Sequence, residues 1–505
     1  MRYHEHNMVT RFVCILFLML SLLMGGTATA ATAETRQTHS IFYAGVENQC
    51  LLQLKIMGEP GEVIKEIRFS LGEKVKAGNI KKAHLYKTAV SWNNGFAPNG
   101  HGHNNSSLLE SARVTGNEIV FKKTIELKES TSIFWLTLDI AGNAKGNSRI
   151  SAVCTNVVTD KGSCTPQQVW GEAVQNPQAA RVYPFAYRVV PYYRPRWVKG
   201  WGNAPKAVHL TEEHFKLFTD IVHFAYSVSA DGEVTLQYVG EGVDAQQVVD
   251  EALAELKRLR GDSKSHLIAG FGHMAGPMSE AVREPATRRK LAKNMAKWII
   301  SRGYQGVDID WEYPETASHW QHFGFFIADL REELAGSGVS ISIAASVGYR
   351  VPIPFVTDQL DFIMTMSYDD LQAQHSSMQL FQRDANICLN KFKMPKKRIV
   401  LGLPFYSNEK GKLTNQYGYS QIRSWYPKLG PDVNEFISKN ADGSDGPPHS
   451  FNGATLIKEK CRWAKQEHMG GVMIWAYDTD IPLSKKASLA RAMFSVIKQS
   501  KRKAK

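Results

Sequence analysis

Hydrophobic and polar residues alternate in two different ways along this chain, and the change falls near residue 184. From about Ile41 to Val158 apolar residues recur at every second position, as at Ile67, Phe69 and Leu71 and at Ile150, Ala152 and Cys154. A period of two is that of a strand with one buried face. Ile133 to Ile140 is a dense apolar strand, and turn-rich stretches such as Trp92 to Ser107 separate these runs. The expectation is an all-β sandwich over residues 38–160. Residues 161–183 carry Pro, Gln, Asn and Ala with little periodicity and read as a linker.

Beyond it, short apolar runs alternate with amphipathic stretches of helical period, the pattern of βα units around a parallel sheet. Eight strands are expected: Tyr187–Tyr193, Asp220–Ser227, His266–Gly272, Gly306–Glu312, Val339–Ser346, Asp361–Tyr368, Arg398–Tyr406 and Gly471–Ala476. Helices are expected at Asp244–Arg260, Ala286–Ser301, Thr316–Ala335, His375–Lys391, Ala454–His468 and Ser484–Gln499, with Asp244 and Thr316 as N-caps. The fold class is therefore α/β, a (β/α)8 TIM barrel over residues 184–500 behind the smaller β-sandwich. The sixty-residue gap between the seventh and eighth strands holds a helix and a Gly/Asn/Pro loop. It leaves little room for an extra α+β insertion.

The fourth strand carries the chemistry. Asp308, Asp310 and Glu312 alternate with Val307, Ile309 and Trp311, which places three carboxyl groups on one face and bulky apolar groups on the other. Like charges a strand-repeat apart repel, and burying them costs several kcal/mol, roughly the penalty of other unpaired buried groups. A core strand would not keep them; the mouth of a barrel would use them.

The run Asp308-Ile309-Asp310-Trp311-Glu312 resembles the Asp-x-Asp-x-Glu signature of glycoside hydrolase family 18, the chitinase family. Gln305 stands where that family usually has another Asp. Other strand ends are similar in order: Val189-Val-Pro-Tyr-Tyr193, with Pro191 for a common Gly, His223-Phe-Ala-Tyr226, Met366-Ser-Tyr-Asp369, Gly402-Leu-Pro-Phe-Tyr406 and Gly471-Val-Met-Ile-Trp475. The resemblance implies Glu312 as general acid and then base, and Asp310 as the group that orients and stabilises the sugar's acetamide. It implies Asp308 as the deeper acid sharing a proton with Asp310, and Tyr368 as donor to the acetamide oxygen. Asp369, Trp475, Tyr192, Tyr406, Met366 and Phe224 are the implied substrate-binding residues. Phe224, Tyr192 and Tyr406 also read as barrel-filling residues, and Trp311 as packing toward the helices. Two departures stand out. The third strand reads Ala269-Gly-Phe-Gly-His273, without the serine that supports the innermost acid and without the nearby aromatic platform, and Asp370-Leu-Gln-Ala replaces a Trp-containing stretch after Asp369.

The implied activity is a retaining hydrolase of β-1,4-linked N-acetylglucosamine, acting on chitin or chito-oligosaccharides. The alternatives are an endo-β-N-acetylglucosaminidase on N-glycan chitobiose cores and a non-hydrolytic chitin-binding lectin. The segments Ile80–Thr88 and Phe134–Ile140 look like the N-terminal β-domain of some bacterial sialidases, a module read as a glycan-binder or spacer.

Composition adds the compartment. Arg11 precedes an apolar run from Phe12 to Met24, and Ala28-Thr-Ala30 offers a cleavage site, so residues 1–30 read as a signal peptide too short to span a bilayer. The protein is expected to be secreted or periplasmic, a monomer with no membrane span and no cofactor. Lys and Arg exceed Asp and Glu by 61 to 48, which fits a generally basic exported protein; no segment resembles a nucleic-acid-binding motif, and the run Lys498–Lys505 reads as a solvated tail. Five cysteines follow the leader, of which Cys154 and Cys164 are close enough in sequence to bridge a hairpin. No Cys/His spacing supports a metal site, and His101 and His103 read as surface histidines.

Overall fold

The computed structural model describes residues 30–88, 106–194, 210–237, 244–348, 354–371 and 374–497. Residues 1–29 of the stretch read as a signal peptide, His101, His103 and the run Lys498–Lys505 lie outside them. Among the described residues no helix is long and apolar enough to cross a membrane.

The N-terminal part is all β, as its period of two requires. A six-stranded sheet and a five-stranded sheet enclose a core of Leu52, Leu54, Leu85, Phe134 and Leu136 from one and Ile67, Phe69, Phe121 and Cys154 from the other. It begins earlier than expected. Strand Thr32–Gln37, with alternate residues buried, pairs antiparallel with Gln49–Met57. The stretch read as a linker is built in rather than free: Gln167–Val169 pairs with Thr32–Gln37, and Ala180–Val182 pairs with Ile41–Phe42. Three-residue strands leave little hydrophobic period to read, even where Ala180 and Val182 join the core. None of the five described cysteines is in a disulfide; register sets Cys164 opposite Val157 and Cys154 opposite Phe69, so the hairpin does not face them at each other.

All eight barrel strands form: β1 (Arg188–Tyr193), β2 (Asp220–Val228), β3 (His266–Phe271), β4 (Gly306–Ile309), β5 (Ser340–Ala345), β6 (Phe362–Thr365), β7 (Ile399–Pro404) and β8 (Gly471–Trp475). They pair in parallel from β1 to β8, and β8 closes on β1. The principal helices are α1 (Ala245–Arg260), α2 (Ala275–Arg283), α3 (Pro285–Ser301), α4 (Ala317–Glu333), α5 (Met378–Asn390), α6 (Ala454–Gln466) and α7 (Leu489–Val496). Asp244 and Thr316 cap α1 and α4 through their side-chain oxygens.

One expectation fails here. An α+β insertion does stand between β7 and α6: strands Tyr406–Glu409, Tyr417–Gly418, Glu435–Lys439 and Asp445–Ser450 form a four-stranded sheet, with a helix at Tyr419–Trp425. Its strands carry Pro447, Pro448 and many polar residues, which masked the strand period.

The floor of the barrel is made of Arg188, Asp220 and Phe362, the first inward residues of β1, β2 and β6. Arg188 is fully buried and pairs with Asp220 at 2.6 Å. Its guanidinium lies 3.7 Å from the Tyr183 ring centroid and 3.9 Å from that of Phe362. Tyr43, from the β-domain, accepts from Arg188 at 3.0 Å and donates to the Asp361 carbonyl at 3.2 Å. Nearby, Arg331 of α4 bonds the Thr38 carbonyl and Asp361, and Arg36 pairs with Glu332. The β-domain is therefore docked against the N-terminal ends of the barrel strands. Cys50, Ile133 and Trp135 form a buried cluster on the face of the large sheet away from the sandwich core.

Breaking this floor leaves a buried charge alone. Arg188→Leu is expected to destabilise the protein by about 3–5 kcal/mol, read by urea denaturation. Signals from both parts of the chain should then shift together.

Candidate active site

The alternation in β4 does what elementary geometry says. Val307, Ile309 and Trp311 join the layer between barrel and helices, where Trp311 packs 5.4 Å from Phe323 and 5.8 Å from His319 of α4. Asp308 and Asp310 point into the barrel and are buried. The regular strand stops at Ile309, short of the expected Glu312, although the Asp310 N–H still bonds the Phe271 carbonyl at 2.8 Å. Glu312 stands at the rim, open to solvent at the mouth yet set deep among the surrounding walls.

The ten residues singled out above gather at this mouth. Tyr192, Phe224, Met366, Tyr368, Tyr406 and Trp475 belong to one cluster that fills the barrel interior. Rings of Tyr192, Phe224 and Trp475 meet edge to face, with centroids 5.2 to 5.4 Å apart. Phe224 has this space because β3 supplies glycines: a Cβ at Gly270 or Gly272 would run into the Phe224 ring or its neighbours. The unusual third strand is thus a seat for Phe224, whose ring lies 5.7 Å from that of His273. The peptide bonds Glu312–Tyr313 and Trp475–Ala476 are cis.

Asp308 accepts from the Tyr192 hydroxyl and from Ser342 Oγ at 2.7 Å. The serine missing from β3 is therefore supplied by β5, where register sets Ser342 directly beside Asp308. Its signal was visible in the alternation of Ser340, Ile341, Ser342 and Ile343. Burial pushes Asp308 up to about 6, against the lowering effect of those two donors. Asp310 is raised well above the ordinary carboxylate value by burial, then by the charges of Glu312 and Asp308. Glu312 is raised too, chiefly by burial. Of its two carboxyl neighbours Asp310 feels Glu312 more strongly than Asp308, the one with which the sequence reading had it share a proton. Asp308 is already held by its two hydroxyl donors, while Asp310 Oδ1 is buried without a partner.

Tyr368, buried, feels Asp310, Asp369 and Glu312, and its ring crosses that of Tyr406 at 6.0 Å. Asp369 has φ +64, a left-handed conformation that few non-glycine residues adopt. One of its oxygens accepts from Tyr406 at 2.5 Å and from Asn408 Nδ2 at 2.6 Å, both supplied by the insertion. Across the mouth Arg194 pairs with Asp478 at 2.7 Å beside Trp475. Asn408, Arg194 and Asp478 lie in no periodic pattern; only the closed barrel brings them in.

Comparison with known proteins agrees with this geometry. A model described as "Glycosyl hydrolases family 18" matches residues 188–480, and one described as "N-terminal domain of BNR-repeat neuraminidase" matches residues 31–163. Chitinase 1 of Aphanocladium album is 27% identical over 321 residues, 51% of this chain and 75% of its own length. Probable chitinase 2 of Drosophila melanogaster is 22% identical over 284 residues, 46% of this chain and 59% of its own length. The chain thus spans less than two thirds of the latter relative. A chitinase of Bacteroides thetaiotaomicron shares the fold, with a TM-score of 0.51, 19% identity, and 63% of this chain and 98% of that one covered.

A carboxyl whose folded value is raised binds its proton more tightly when folded, so it lowers stability as pH climbs from its unfolded value through its folded one. With Asp308 raised from 3.8 to about 6, Asp308→Asn should add up to about 3 kcal/mol above pH 6 and nothing below pH 4. Urea denaturation at pH 4 and pH 8 reads the difference.

Proposed function

Because this chain belongs to glycosyl hydrolase family 18, we propose that it cleaves β-1,4-linked N-acetylglucosamine, in chitin or chito-oligosaccharides, with retention and with the substrate's own acetamide as nucleophile. The observation that carries this reading is the buried Asp310, its Oδ1 without a partner, set on the same face as Glu312 two residues on. An acid and a carboxylate nucleophile that flank a glycosidic bond stand about 5 Å apart in ordinary retaining enzymes, and farther apart in inverting ones. Asp310 and Glu312 are neighbours on one face at the end of one strand rather than groups on opposite sides of the bond, so the attacking oxygen comes with the sugar.

Glu312, raised by burial, delivers its proton to the leaving oxygen. As the bond breaks, Asp310 turns its unpartnered Oδ1 to the acetamide N–H and stabilises the positive ring that forms. Tyr368 donates to the acetamide oxygen and sets it beneath the anomeric carbon. Asp369, held by Tyr406 and Asn408, meets the distorted sugar, whose apolar face rests on Trp475. Glu312, now ionised, takes a proton from water, and the hydroxide opens the cyclic intermediate. Asp308, fixed in place by Tyr192 and Ser342 at the base of the pocket, leaves Asp310 as the group free to turn to the sugar. Tyr192, Phe224 and Met366 line the base of the pocket.

The insertion adds a wall to the cleft, which favours holding several sugars of a chain. In the same reading the leader exports the protein, which works outside the cytoplasm as a monomer. A second reading, release of glycans at the chitobiose core of glycoproteins, draws support from the neuraminidase-type N-terminal match.

Incubation with chitohexaose and with a high-mannose glycoprotein separates the readings: shortened oligomers support the first, released glycan the second, and neither product a lectin. Glu312→Gln is expected to lose about 10²–10⁴-fold in turnover; activity within about tenfold of wild type sinks the acid assignment. Asp310→Asn should also fall steeply, and an unchanged rate rules out acetamide participation.

A further inference from the structure

One buried charge has no part in the chemistry above. Lys460 lies on the inner face of α6 between Ile457, Cys461 and Ala464, and is completely buried. Its neighbours there are those of a core residue, and a Leu or Met would fit the pattern. Instead Nζ donates to three acceptors, the Ser376 carbonyl, Ser376 Oγ and Asn452 Oδ1, each at 2.7 Å. Asn452 Nδ2 donates to the same Ser376 carbonyl at 2.9 Å, and the Phe381 ring of α5 lies 5.3 Å from Nζ. Three acceptors need three N–H bonds. An ammonium has them and a neutral amine does not. The titratable groups around it are Asp384 on α5, Cys461 beside it on α6, and His375 in the loop it grips.

We propose that Lys460 is a positioning residue for the Tyr368–Asp369 corner, acting through Ser376. The inference rests on the reading of those two residues as the groups that hold the sugar. Ser376 Oγ, fixed by Lys460, donates to the Ser367 carbonyl at 2.7 Å, one residue before Tyr368. The Asp370 N–H bonds the His375 carbonyl at 3.0 Å, closing the loop between corner and strap. His375 in turn is held by Ser450 Oγ and meets Asn408, the donor to Asp369. The insertion thus grips the corner from the front, and Lys460 grips it from behind. The corner needs both, since Asp369 sits in a conformation the chain does not favour unaided. Burial pushes the ammonium down to about 7, with Cys461 and Asp384 acting in the opposite direction. Such a group costs the fold stability, which a methionine would not, so its retention points to placement of the corner rather than to strength of packing.

The test compares wild type, Lys460→Met, Ser376→Ala and the double variant on chitohexaose at pH 6, with a thermal melt of each. The expected result for Lys460→Met is a kcat lower by about 10- to 100-fold, since a small misplacement of a reacting group has that effect. KM should stay within about threefold and Tm within about 4 °C of wild type. Ser376→Ala should reproduce the kcat loss, and the double variant should be no worse than Lys460→Met, as two links of one chain are not additive. With an active wild type, a Lys460→Met kcat within about twofold overturns the proposal. So do single losses that multiply in the double variant, or a kcat loss that merely follows a fall in Tm. If Lys460→Met does not fold, an unchanged kcat in Ser376→Ala overturns it alone. A wild type that cleaves neither chitohexaose nor glycoprotein overturns the functional reading itself, and this inference with it.

Discussion

Carboxyl groups set in a row inside a barrel cannot all give up their protons. Burial opposes each ionisation, and each charge that does form opposes the next. Asp308, Asp310 and Glu312 are all raised for the first reason and Asp310 also for the second. Most of the mouth is arranged around that constraint. Tyr192 and Ser342 donate to the innermost acid and hold it where the other two cannot use it. What remains is Asp310 and Glu312 toward the mouth, with Asp310 Oδ1 buried and without a partner.

The same frame shows how much was legible beforehand. A period of two on a face of acids is a loud signal, because nothing in a core rewards it, and β4 was readable from that alone. The eight strands and their order were readable because buried parallel strands are short, apolar and separated by helices of a different period. The insertion was missed because its strands are short, of mixed burial, and carry prolines and charges. Thr32–Gln37 and the paired segments 167–169 and 180–182 were missed because three- to six-residue strands have too few positions to show a period. The partners of Asp308 came out differently because hydrogen-bond partners depend on register between strands. Asp308 faces Ser342 only once β4 and β5 are side by side. Asn408 and Lys460 had no signal at all: one is in a strand of mixed character, the other is a lysine at a helical position where sequence alone assigns solvent.

Buried cations recur at both ends of the barrel. At the floor Arg188 is matched by Asp220 and sandwiched by aromatic rings. Near the mouth Lys460 is matched only by neutral oxygens. A paired guanidinium is insensitive to pH across the physiological range, whereas an ammonium held by carbonyl and hydroxyl groups is not. The two ends differ accordingly: the floor joins the parts of the chain permanently, and the mouth is set by finer balances.

The docking of the β-domain against that floor also fixes a direction. The cleft opens at the C-terminal ends of the strands and the module sits beyond their N-terminal ends, so the depth of the barrel, roughly 20 Å for strands of six residues, lies between them. A surface grasped by the module would hold the enzyme with its back to that surface and its mouth outward. Whatever meets the module meets the closed end of the barrel, and the carboxyl-lined end stays clear of it.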